Sequence, residues 1–493
     1  MKYFILLTIL FPIIMGGLLF LKKYDDHHDD KPRNTFLAVS IILTSVLVFA
    51  LMLFGGNDTL TVLSLGENMP IAFRVDGLSY VFLTLIAILW PIAIFYSFEY
   101  MEHEKNKNRF FMFYTMTYGV VIGLATSANL ITFYLMYECL TFITLPLVTH
   151  SMDRRAVHAG RQYFKYSIFG ASLAFVGIMI LMQYSTSLDF VYGGILDLAK
   201  VSGNDVIVLI GYLLTFFGFG VKAAIFPFHG WLPTAGVAPT PVTALLHAVA
   251  VVKAGVFAIM RVTFYSFGTG FLAGTWAQDV VLAFACFTVV FGSAMALRQQ
   301  HLKKRFAYST ISNLSYIILG IGMMSTAGLT GALAHMFFHG IMKICLFFVV
   351  GVIMEKTHKE FVSQIEGFGL KMPVTFICLT IGACALSGIP LFAGFVSKFA
   401  LANASVQLSS FWSIIIVLCL LLSAVLTAAY TFELSIKAFI TNNDFDSKLL
   451  EGVKDPSWLM KGPLVILCVL MIVFGVVATP LMDVFTAIAS NLM

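Results

Sequence analysis

Apolar windows of about twenty residues recur along almost the whole chain, and that recurrence leaves few folds open. At 1.5 Å of rise per residue such a window matches the roughly 30 Å of hydrocarbon in a bilayer. Backbone amides find no water there, so each crossing must close its hydrogen bonds internally, as a helix. Fourteen windows stand near residues 3–21, 35–54, 77–98, 111–127, 130–149, 162–184, 206–226, 242–264, 276–296, 306–325, 328–354, 373–402, 411–434 and 463–485. Only 11% of residues are charged, against about 25% in soluble domains. The expectation is an all-α polytopic membrane protein with about 14 transmembrane helices. The first window is long for a secretion signal and lacks a small-residue cleavage site, so it is expected to remain as a span.

Charge between the windows supports the count. Loops after odd-numbered spans hold 21 Lys and Arg, and loops after even-numbered spans hold 2, Arg74 and Lys200. Positive loops stay in the cytoplasm, so both termini are expected outside it. The loop after span 7 departs from this. Pro227–Pro241 carries no Asp, Glu, Lys or Arg, and a stretch so neutral is better tucked into protein, making span 7 a broken helix. Span 12 is too long for one crossing and is interrupted by Gly388, Pro390 and Gly394. Interrupted helices at corresponding places in two halves suggest inverted repeats around a transport site. Taking spans 4–8 and 9–13 as two inverted five-helix units puts breaks in the fourth member of each, helices 7 and 12. The expected divisions are 1–110, 111–265, 276–434 and 435–493.

Ionisable residues inside these windows carry the functional signal. A charged side chain at mid-bilayer costs about 2.5–3.5 kcal/mol or more on insertion scales, so it is paired, wetted or in use. Lys222, Lys253, Lys343 and Lys398 are so placed, with Glu138, His335 and His339. Lys222 precedes an uncharged loop and Lys253 is too deep to snorkel. Glu138 can pair with a buried lysine. His335, His339 and Lys343 recur at i, i+4, i+8, one helix face, and histidine relays protons near neutrality. The set points to movement of protons or small cations. His247 lies about 240° from Lys253 on an ideal helix and reads either as packed polar residue or as participant. Glu433 with Lys437 at i+4 reads equally as surface ion pair or as participant, and Lys165 reads mainly as a snorkelling residue. Asp25–Asp30, with His27 and His28, looks like a solvated loop.

Other chemistries are disfavoured. Seven cysteines lie in apolar segments with no CxxC pair, so no zinc site, iron–sulfur site or disulfide framework is expected. Gly218–Ala223 spells a dinucleotide fingerprint, but inside a hydrophobic helix rather than after a strand. No cofactor, metal or nucleic acid is expected.

Several segments resemble the antiporter-like proton-conducting subunits shared by respiratory complex I, Mrp-type Na⁺/H⁺ antiporters and group 4 membrane-bound hydrogenases. They are RVDGLS at 74–79, FYLMYECLTF at 133–142, GVKAAIFPFHGWLPTAGVAPTPVTALLHAVAVVKAGVFAIMR at 220–261, LKKRFAYSTISNLSYIILG at 302–320, HMFFHGIMKICLF at 335–347 and GIPLFAGFVSKF at 388–399. The resemblance implies that Glu138 pairs with Lys222, that Lys253 passes protons on, and that His335, His339 and Lys343 connect to a second half-channel ending at Lys398. It implies partner membrane subunits of a complex I-like, hydrogenase or Mrp assembly, with protons moved and sodium as an alternative ion. The family often has a lysine where Gln162 stands, and Lys165 is one turn later. The chain lacks a long lateral helix after span 14, so a shorter member is expected. With no redox centre of its own, it would be driven by redox chemistry in partners, or serve Na⁺/H⁺ exchange in an Mrp-type antiporter. The rival of another class is a membrane scaffold that anchors a soluble enzyme.

Overall fold

The computed structural model describes residues 2–21, 30–55, 58–66, 69–408, 410–441 and 450–491. The chain opens with α1 (Lys2–Leu21) and α2 (Lys31–Phe54), then a hairpin of β1 (Leu60–Ser64) and β2 (Pro70–Phe73). Next come α3 (Gly77–Tyr100), α4 (Lys107–Ala125), α5 (Leu130–Val148), α6 (Arg154–Tyr184), a short α7 (Leu198–Val201) and α8 (Asp205–Gly220). The middle holds α9 (Trp231–Ala235), α10 (Thr240–Ala248), α11 (Val251–Arg261) with a π-turn at Val262–Phe267, α12 (Thr269–Leu272) and α13 (Trp276–Arg298). Then follow α14 (Leu302–Gly322), α15 (Thr326–Thr357), α16 (Pro373–Ser387), α17 (Ala393–Val406), α18 (Trp412–Phe439), α19 (Trp458–Val476) and α20 (Thr479–Ala489).

Helix falls at every expected window, and among the described residues ten helices are long and apolar enough to cross a membrane. Of the remaining windows, α8 and α16 are cut short by the anticipated breaks, and α4 and α14 are more polar. The protein is a multi-pass membrane protein built almost wholly of helix. The one antiparallel ribbon among the described residues pairs Leu60 with Phe73 and departs from the all-α expectation.

Burial sorts the helices. The best windows of Thr240–Phe267 and Thr326–Thr357 are 100% buried, whereas the other eight candidates range from 22% to 67%. The helices bearing His247, Lys253, His335, His339 and Lys343 are therefore the core, and the rest wrap them. Tyr96 of α3 fixes one side of α15: its ring stacks on Phe348 at 3.8 Å and its hydroxyl donates to the Phe348 carbonyl at 2.8 Å.

Three expectations change. Span 8 is not continuous: α10 ends at Ala248 and α11 begins at Val251, with Ala250 at φ −100°, ψ −80°. The 240° argument for His247 therefore fails, because no single helix carries both residues. Span 14 divides at Val477 and Ala478 into α19 and α20. Several basic residues counted as loop charge are buried, among them Arg33, Lys107, Lys303 and Arg305. Residues 25–29 of the Asp25–Asp30 segment lie outside the described residues, while Asp30 itself pairs with Arg33 and Lys107 at 2.8 and 2.7 Å.

Candidate functional site

Lys222 owes its position to the end of α8. The helix closes at Gly220, and the chain continues in tight turns where the Lys222 amide donates to the Phe219 carbonyl at 3.2 Å. The Trp231 indole folds back to donate to the Val221 carbonyl at 2.7 Å, so the neutral loop packs under the break as its composition suggested. Gly255 of α11 lies against this turn. A Cβ there would stand 2.5 Å from the Ala223 nitrogen, and only glycine lets α11 approach so closely.

The Lys222 ammonium donates to the Tyr137 carbonyl, lies 3.3 Å from the Tyr137 ring centroid and 3.9 Å from Glu138 Oε1. Tyr137 and Glu138 are consecutive on α5, so one short segment offers the cation a carbonyl, a π-face and a carboxylate. The Glu138 side chain keeps 17% exposure while Lys222 keeps 1%. The acid stands at the rim and the lysine inside it. At 3.9 Å they attract without a hydrogen bond between them.

A second cluster surrounds Lys253. Its Nζ is 2.8 Å from His339 Nδ1. The His339 and His335 rings stack with centroids 5.7 Å apart, and Tyr316 of α14 stacks on His335 at 5.2 Å. His335 Nδ1 meets the Ser397 hydroxyl of α17 at 2.9 Å. One residue on, Lys398 lies 5.1 Å over the Tyr316 ring centroid and donates to the Leu386 carbonyl at 2.6 Å. That carbonyl is at the end of α16, where Gly388 takes φ 87° and turns the chain into α17, a conformation suited to glycine. Among the described residues no carboxylate touches this cluster. Two donors cannot face each other, so the Lys253–His339 contact holds at most one positive charge: an ammonium bonding a neutral imidazole, or an imidazolium bonding an amine.

Lys343 keeps its place on the α15 face but takes partners of its own. It turns to α14, donating to the Ser309 hydroxyl at 2.6 Å and the Phe306 carbonyl at 3.3 Å. Ser309 in turn meets the Tyr430 hydroxyl of α18 at 2.5 Å. Arg305 donates to the Tyr430 carbonyl at 3.0 Å and to Glu433 at 2.7 Å, and Lys437 pairs with Glu433 at 2.9 Å. Glu433 therefore belongs to a network reaching toward Lys343, not only to a surface pair. His247 is fully buried against Phe347 with both ring nitrogens unpartnered. Lys165 is exposed on α6, away from the buried set.

Ser309, Tyr316, Ser397, Tyr430 and Arg305 were not singled out from the sequence. A signal existed for the α14 pair: Ser309, Thr310, Ser312, Asn313 and Ser315 crowd an otherwise apolar helix and all are buried. Nothing local marked Ser397. A separate buried clamp joins Arg261 at the end of α11 to Asp76 at 2.5 and 2.7 Å and to Ser79 at 3.2 Å, anchoring the core helix to the start of α3.

With this geometry in hand, comparison with known proteins decides the family. Residues 127–427 match the family described as NADH:quinone oxidoreductase/Mrp antiporter, TM, and residues 63–111 match the N-terminus of chain 5 of NADH-ubiquinone oxidoreductase (complex I). The chain belongs to the NADH:quinone oxidoreductase/Mrp antiporter family. Within that family it is 30% identical to a Na(+)/H(+) antiporter subunit of Alkalihalophilus pseudofirmus, over 84% of this chain and 53% of that protein. It is also 30% identical to NAD(P)H-quinone oxidoreductase subunit 5 of Paulinella chromatophora, over 91% of this chain and 72% of that protein. The chain spans about half the length of the antiporter relatives it matches. Its fold is shared by a chain of an archaeal membrane-bound sulfane sulfur reductase, with TM-score 0.84, 24% identity and 99% and 97% coverage. A chain of the Mrp complex from Dietzia sp. DQ12-45-1b superposes with TM-score 0.83 at 18% identity, over 100% of this chain and 98% of that one.

Proposed function

We propose that this chain conducts protons across a bacterial or archaeal inner membrane as one component of a larger assembly. The observation that carries the reading is the acid-free chain of buried bases, Lys253, His339 and His335, running toward Lys398. A buried ammonium needs acceptors around it, and at Lys253 the acceptor is a base rather than a carboxylate. Each member sits within hydrogen-bonding or stacking distance of the next, and unpartnered buried nitrogens on His335, His339 and His247 are sites where water would complete a relay. Glu138 and Lys222 form the opposite end. A proton reaching Lys222's surroundings weakens its attraction to Glu138 and biases Lys253, so charge moves by switching pairs.

The reading includes fourteen crossings with both termini outside the cytoplasm, as the loop charges favour. It divides the chain at 1–110, 111–265, 276–434 and 435–493, the middle pair being inverted units with breaks after α8 and between α16 and α17. The driving force is redox chemistry in partner subunits. The second reading, a component of a Na⁺/H⁺ exchanger, is favoured by the 30% identity to the Alkalihalophilus antiporter protein. The test is ion flux in proteoliposomes holding the native assembly. Lys222→Ala and Lys253→Ala should assemble normally and lose coupled proton flux; normal flux in both would end the proposal. Flux that responds to an imposed sodium gradient selects the second reading.

A further inference from the structure

A cavity of about 470 Å³ opens where the start of α6, the start of α14 and the loop under Lys222 meet. That volume lies within the roughly 300–1,000 Å³ usual for small-molecule sites. Its polar lining is basic: Arg154, Arg155 and His158 from α6 and Lys304 from α14, with Gln299 and Tyr308 and no carboxylate. Among the described residues none of Arg154, Arg155 and Lys304 has an ion-pair partner. Asp153, beside them in sequence, caps α6, accepting from the Ala156 amide at 2.7 Å and the Ser151 hydroxyl at 3.0 Å, and its charge is felt by Arg155 but by no other cation of the cavity. Three exposed cations gathered around one hollow give it a positive potential that favours an anion there.

The second observation lies along α6 itself. The same outward side that begins with Arg154, His158 and Arg161 turns apolar within a few turns, where Ile168, Phe169, Phe175, Val176 and Met179 are exposed. Cations followed by a greasy strip match a molecule with an anionic head and a hydrocarbon tail. We infer that this cavity binds the phosphate of an anionic phospholipid headgroup, with the acyl chain along α6. Arginine suits the head because its fork grips phosphate oxygens in pairs, and basic pockets between membrane helices on the cytoplasmic side take such lipids. The third wall is Gly230, Pro233, Thr234 and Val237, part of the segment that packs under Lys222, so the bound head would brace it. The site stands independently of the proton-conduction reading.

The test uses the native assembly, stripped of lipid in a neutral detergent and titrated with phosphatidylglycerol, phosphatidylcholine or inorganic phosphate. Native mass spectrometry counts retained lipid and a thermal melt reads protection. Phosphatidylglycerol should be retained at least tenfold better than phosphatidylcholine. Arg154→Gln with Arg155→Gln and Lys304→Gln should erase that preference, while Lys359→Gln with Lys371→Gln and Lys454→Gln should leave it. If the triple variant fails to assemble, Lys304→Gln alone, at an exposed position, should cut the preference several-fold. Equal protection by inorganic phosphate would overturn the lipid in favour of a free anion. Unchanged retention in the variants, or loss of a companion protein with lipid unaffected, would overturn the site.

Discussion

Lys222 and Lys253 solve the same electrostatic problem differently. At Lys222 the ammonium has a carboxylate at 3.9 Å, and that carboxylate stands at the rim of the fold. At Lys253 there is no acid among the described residues, only a histidine nitrogen at 2.8 Å in a fully buried setting. An ion pair lets both groups stay charged while their spacing is modulated. A lysine–histidine pair must share one proton, so a second arriving proton displaces the first. The first arrangement suits a gate that responds to its surroundings, and the second a relay that passes along what it receives.

The largest test of this contrast is Lys253→Met. With its amine gone, His339 loses its base neighbour at Nδ1, and no other described group replaces it. Proton flux should fall at least 100-fold, about 2.7 kcal/mol of barrier at 1.36 kcal/mol per tenfold, with the assembly intact by gel filtration. A fall of only a few-fold would mean that water alone joins the two ends.

Glu138→Gln comes next. The lysine keeps its carbonyl and π-face from Tyr137 and loses only the charge, so flux should drop about tenfold. Glu102→Gln, at a surface turn beyond α3, should leave flux unchanged in the same vesicles. Equal loss at both would point to general destabilisation and erase the distinction between the ends. Ser397→Ala follows. It strips His335 of its hydroxyl partner without touching a charge, an interaction worth about 1 kcal/mol, so about a fivefold slowing is expected. A larger loss would move Ser397 from orienting His335 to carrying the proton.

The Lys222 end was more legible in the sequence than the Lys253 cluster. Lys222 announced itself by lying before an uncharged Pro- and Gly-rich loop, and the structure folds that loop under it. The interrupted span with Gly388 and Pro390 likewise announced its break. The break at Val249 and Ala250 carried no such signal, since two small apolar residues in an apolar run read as plain helix and only tertiary packing kinks them. The i, i+4, i+8 spacing grouped His335, His339 and Lys343, and the helix obeys it; yet α14 draws Lys343 aside to Ser309 while Lys253 and Ser397 hold the histidines. Helix periodicity gives the face, and the neighbours that divide it come from residues over 30 positions away. Loop charge misled in detail, because Lys303 and Arg305 begin α14 and are buried by the α18 helix and the loop ending at Ala238.

The smallest effect concerns a rival source of pH dependence at the gated end. His150 follows α5, twelve residues after Glu138, and is buried with its Nε2 3.0 Å from the Lys105 carbonyl. Burial and the neighbouring Arg109 guanidinium push its imidazole down to about 4, against about 6.5 unfolded. The sign follows from proton counts: between those two values the unfolded chain binds the extra proton, so folding stability falls as pH drops from 6.5 toward 4. His150→Gln should flatten that decline in a melt series over pH 4–7. It should leave the pH profile of proton flux between 6.5 and 8 unchanged, because the ring is neutral there. A flux profile that moved with His150 would place a pH-sensitive group for transport at the α5–α6 connection, and the contrast between the carboxylate-paired Lys222 and the histidine-paired Lys253 would lose its first term.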